Sequence, residues 1–81
     1  MNLTRSDIES ILADGVYFNK GDREFAARAI PGTDQVAVTE MTALKRDALS
    51  LESLIGRARA DQTGSQLANV AALRKLLAEF V

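Results

Sequence analysis

The sequence predicts a mainly α-helical single domain, with an α+β arrangement as its variant. A short helix is expected over 1–15, a small β-ribbon or irregular segment over 16–38, and an antiparallel helical hairpin over 39–81. Three observations predict this. A chain of 81 residues has room for one domain. Apolar residues recur at three- and four-residue spacing through its second half, the period of a helix. A polar break, Asp61-Gln-Thr-Gly-Ser65, divides that run in two.

The first helix follows from Ser6 and Glu9, spaced as a capping box, with Asp7 in the first turn where the helix dipole favours an acid. Ile8, Ile11 and Leu12 then share one face, Leu3 sits where it can staple against them, and Gly15 is a natural stop.

Between Val16 and Thr39 two readings compete. Val16-Tyr-Phe18 suits a strand and Asn19-Lys-Gly-Asp22 carries turn chemistry, so Glu24–Ile30 would return as a second arm. Three alanines make that arm a poor strand, and the same residues could form a two-turn helix capped by Asp22. Pro31-Gly32 ends either form, and Val36-Ala-Val38 reads as a brief strand or the lead-in to a helix.

The hairpin rests on Met41, Leu44, Ala48, Leu51, Ile55 and Ala58 in an unbroken heptad stripe, with Leu49 and Leu54 beside it and Thr39 as N-cap. Ser65 caps the next helix, where Val70, Leu73, Leu77 and Phe80 repeat the spacing. Two such helices separated by a short break are expected to fold back on each other.

Composition narrows the chemistry. The chain has no cysteine and no histidine, so disulfides, thiolate metal sites and the commonest metal ligand are absent. Ten basic residues against 11 acidic ones give a net charge of −1, without the basic excess of a dedicated nucleic-acid binder. Asp14, Asn19, Asp22 and Glu24 supply oxygen atoms but not the calcium-loop register. No nucleophile elbow, phosphate loop or dinucleotide fingerprint is present. The expectation is therefore a protein that is no enzyme and takes no cofactor or metal. It would act in the cytoplasm, or in a virion assembled there, with no membrane segment.

An unstapled domain of this size often completes its burial against another chain. The second helix carries Leu76 and Val81 away from its main stripe, near Phe80, which suggests a partner surface there. Tyr17 and Phe18 form a second contact, and the partner is another protein or a second copy. The alternative is a small nucleic-acid-binding regulator that touches phosphates through Arg57, Arg59, Arg74 and Lys75.

Three segments add a resemblance: Leu3-Thr-Arg-Ser-Asp-Ile-Glu-Ser-Ile-Leu12, Lys20-Gly-Asp-Arg-Glu-Phe25 and Val38-Thr-Glu-Met-Thr-Ala-Leu44. Their order resembles the small W-type head–tail joining proteins of tailed phages, which have a short helix, a β-hairpin and a helix. The likeness covers about two-thirds of the chain, from Leu3 to Ile55. The Pro31-Gly-Thr-Asp34 insertion and the extra C-terminal helix depart from it. It implies a non-enzymatic connector built into a ring, and it transfers no binding residue.

Overall fold

The computed structural model describes residues 3–60 and 69–81. The element order is α1 (Arg5–Asp14), β1 (Val16–Lys20), β2 (Arg23–Ala29), β3 (Gln35–Glu40), β4 (Lys45–Ser50), α2 (Leu51–Ala60) and α3 (Asn69–Phe80). The four strands form an antiparallel sheet in the order β1-β2-β3-β4. The fold is thus α+β, and the mainly α expectation is overturned.

The N-terminal helix is present, but its cap falls two residues earlier than expected. Its cap is Thr4, whose hydroxyl accepts from Asp7 N–H (3.1 Å) while the Asp7 carboxylate accepts from Thr4 N–H (3.1 Å). That reciprocal pair satisfies two backbone donors that a helix start leaves free. The ribbon is present as β1 and β2, joined through Gly21 and Asp22. Gly21 takes a φ of 63°, the positive value that a two-residue hairpin loop asks of its first position. Pro31-Gly32 ends β2, and Ile30 N–H donates to the Gln35 carbonyl across the loop (2.9 Å).

The correction falls on 39–50, expected as the first half of a long helix. Thr39 and Glu40 finish β3, residues 41–44 turn, and Lys45–Ser50 return as β4. Met41, Leu44 and Ala48, half of the presumed stripe, are exposed. Pairing with β3 overrides the weak strand propensity of Lys-Arg-Asp-Ala-Leu-Ser. Ser50, not Thr39, starts the helix: its hydroxyl accepts from Ser53 N–H (3.2 Å), and Asp34 accepts from Glu52 N–H (2.9 Å).

The antiparallel helical hairpin is not the arrangement either. Arg57 pairs with Glu79 at 3.2 Å, joining the C-terminal halves of α2 and α3, which a hairpin turning over 61–68 would set far apart. Instead α3 lies along β1, α1 on β2 and α2 beside β4. The expected break, Gly64, the Ser65 cap and Leu67 lie outside the described residues.

One core joins all these elements. Strand alternation turns Val16, Phe18, Phe25, Ala27, Val36 and Val38 to the helix side of the sheet. Ile8 and Leu12, Leu54 and Ile55, and Leu73, Leu76 and Leu77 close it from α1, α2 and α3. The other side of the sheet carries no helix among the described residues.

Candidate interaction surface

The expected contact residues separate sharply. Leu76 is 6% exposed and belongs to the core, while Phe80 and Val81 are half-buried against it. The chain's own sheet covers the edge that the helix pattern had left open. Tyr17 and Phe18 sit on opposite sides of the sheet because successive strand residues alternate. Phe18 is buried and stacks on Phe25 with ring centroids 5.1 Å apart, whereas Tyr17 is 69% exposed.

The basic residues differ in the same way. Arg57 is held by Glu79, and Arg74 Nε donates to the Tyr17 carbonyl (2.9 Å). Arg59 and Lys75 remain exposed. Two of the four are thus engaged by groups of the chain itself. No charged side chain is buried among the described residues, and none of their acidic residues gather in threes to hold a metal ion. No helix among them is long and apolar enough to cross a membrane.

What the fold does bring to the surface is the β3–β4 hairpin and the bare side of the sheet. Met41 is 43% and Leu44 81% exposed at the hairpin tip, and Leu44 holds a φ of 52°. On the bare side Ala26, Ala37 and Thr39 form a smooth floor beside Tyr17 and Arg28. There lies a shallow depression of about 360 Å³, also lined by Asp14 and Gly15. Arg28 Nη2 closes one end by donating to the Asp14 carbonyl (3.3 Å).

The sheet's two edges differ. Antiparallel neighbours alternate between exchanging two backbone hydrogen bonds and exchanging none. Met41 N–H donates to the Glu24 carbonyl (2.8 Å), so even residues of β2 bond β3 and odd ones bond β1. Tyr17 and Asn19 therefore face outward from β1, and Arg74 caps that edge at the Tyr17 carbonyl. Lys20 Nζ reaches the Val81 carbonyl beside it. On the far side, Leu51 N–H donates to the Asp34 carbonyl (2.9 Å), so the odd residues of β4 bond β3. The N–H and C=O groups of Arg46 and Ala48 point away, and nothing among the described residues pairs with them.

Charged partners brace the rim. Arg23 grips Glu40 through two contacts (3.1 and 2.6 Å) and lies over the Phe25 ring at 5.0 Å. The hydrogen bond from Arg23 holds the Glu40 carboxyl below its usual range. Asp34 is held down by the Ser50 hydroxyl and then by Glu52 N–H, and Glu52 by its hydrogen bond from Arg5.

The exposed hairpin tip escaped the sequence reading because Met41 and Leu44 fit a helical period equally well. One signal could have found it: Ser50-Leu-Glu52 is an N-cap followed by a first-turn acid, placed mid-way along the presumed helix. No known protein family, curated protein or solved structure matches the chain.

Proposed function

We propose that this protein is a non-enzymatic interaction module, a small subunit or adaptor of a larger assembly in the cytoplasm or in a particle built there. The observation that carries the reading is Leu44. A leucine at positive φ costs about 1–2 kcal/mol relative to glycine, and its side chain contributes nothing to the core. Folding alone would favour glycine or asparagine there, so an apolar side chain held outward at such a cost fits a contact with another chain. Its neighbours support this: Met41 is exposed beside it, and β4 leads away from it with an edge that no described residue pairs. The resemblance to W-type connectors gives the phage version of the same reading.

The test is solution mass by analytical ultracentrifugation over a concentration series, for the parent and for Leu44→Asp. Association that weakens in the variant, with an unchanged thermal midpoint, is the expected result. A parent that stays monomeric throughout, yet binds duplex DNA with a steep salt dependence lost on reversing Arg59 and Lys75, would replace this reading by the nucleic-acid one.

A further inference from the structure

We propose that two copies of this chain join along β4, antiparallel, about a two-fold axis at Ala48, giving one sheet of eight strands, four from each copy. This rests on the interaction-module reading and names its partner as a second copy.

The unequal edges point to β4. An exposed sheet edge is normally blunted, and β1 is in part: α3 runs along it, and Arg74 takes up the outward carbonyl of Tyr17. Apart from α2, which continues from its end, β4 has no such cover among the described residues, no proline, and exposed residues from Lys45 to Ala48. Lys45 and Asp47 lie on the helix side of the sheet, where charge deters indiscriminate strand addition. A partner strand must therefore match this charge pattern.

β4 matches itself best in one register, since an axis at Leu49 would leave only Ala48 and Ser50 to pair and set Arg46 against Glu52 of α2. The outward backbone groups are those of Arg46 and Ala48 with the N–H of Ser50, whose carbonyl serves the first turn of α2, so an antiparallel copy must bond through those residues. An axis at Arg46 opposes it to the partner's Arg46, and an axis at Asp47 opposes it to the partner's Asp47. Like charges directly opposite each other are unfavourable. An axis at Ala48 removes both conflicts. Ala48 then faces the partner's Ala48, Asp47 faces the partner's Leu49, and Arg46 faces the partner's Ser50. In each chain the Ser50 hydroxyl donates to the Asp34 carboxylate (2.6 Å), so an anion stands where Arg46 arrives. That carboxylate accepts one further bond, from Glu52 N–H, and keeps lone pairs for a guanidinium. The seam thus carries the same opposite-charge contact twice. Alanine at the axis leaves room for the backbones to close.

The chain's lack of cysteine makes the test clean. Opposed residues in a bonded antiparallel pair have Cα atoms about 5.5 Å apart, within disulfide range. Ala48→Cys should form a disulfide-linked dimer under mild oxidation, while Ser10→Cys, on the exposed side of α1, should not. Ala48→Pro removes an N–H that β3 does not use, so the fold should persist. The dissociation constant from ultracentrifugation should rise about a hundredfold, two axial hydrogen bonds being lost at roughly tenfold each. Arg46→Glu, at an exposed position, gives a second reading if the proline variant folds poorly, and it too should weaken association. The pairing is overturned if Ala48→Cys crosslinks no faster than Ser10→Cys, or if the parent never associates. It is also overturned if association survives both Ala48→Pro and Arg46→Glu. In that last case loss of association in Leu44→Asp would keep the module reading while ending the strand pairing.

Discussion

Leu76→Ala separates a core residue from a contact residue. Leu76 shares the inner face of α3 with Leu73 and Leu77 and is 6% exposed. The substitution removes three carbon atoms, about 2.4 kcal/mol at ~0.8 kcal/mol for each buried methylene equivalent. The cavity left between α3 and the sheet raises this to about 3 kcal/mol, inside the roughly 2–5 kcal/mol found for such truncations. In a domain of this size 1 kcal/mol moves the midpoint by roughly 4–8 °C, so the melt should shift down by roughly 12–24 °C. The assay is thermal unfolding by far-ultraviolet circular dichroism at low concentration, with solution mass measured in parallel. A melt within a few degrees of the parent, with a changed mass, would show that Leu76 serves a partner and that its packing has been misread.

Two further outcomes follow from the chain's own bonds. Gly15 holds a φ of 92° and a ψ of 147°, and a Cβ there would sit 3.5 Å from Arg28 Nε. Gly15→Ala should therefore cost about 1–3 kcal/mol, read as a lower urea midpoint; an unchanged midpoint would mean that the α1–β1 junction can rearrange. The carboxyls of Asp34, Glu40 and Glu52 all have folded pKa values below their ordinary ones, so folding favours their charged forms. Their contribution is complete above the ordinary values of 3.8 for Asp34 and 4.5 for the two glutamates, and is lost as pH falls through the folded values. The urea midpoint should hold down to about pH 5 and then drop. Glu40→Gln should soften that drop, and a parent whose midpoint stays flat to pH 3 would contradict it.

The first half of the fold was largely legible. Gly15 as a stop, Ile8 and Leu12 as a buried pair, and the turn before Arg23 are written in local chemistry that tertiary structure did not need to override. The Thr4 box was missed because Ser6 and Glu9 offered the same spacing two residues later. The second half misled for a physical reason. Lys45–Ser50 has helical propensity and helical spacing, and only its pairing with β3, a non-local event, makes it a strand. The misplaced helix then displaced the surface. With 39–50 withdrawn from the helix layer, α3 turned Leu76 toward the sheet, and the exposed apolar residues became Met41 and Leu44. Phe18 was assigned outward with Tyr17 because the strand's alternation was not applied to that pair.

The bond from Arg74 to Tyr17 spans 57 residues. The strands pair only with their neighbours in the chain, so the meander can form as it is synthesised. Yet Val16 and Phe18 stay unsealed until α3 arrives, since that helix lies along the first strand. A nascent chain stalled before α3 would present a bare strand edge at each end of its sheet, and so two places for a neighbouring nascent chain to add. Completion of the last helix closes one of them, and with it the route to open-ended strand stacking. Among the described residues the β4 edge is then the more open of the two, and an edge open on one side favours a pair over a fibre.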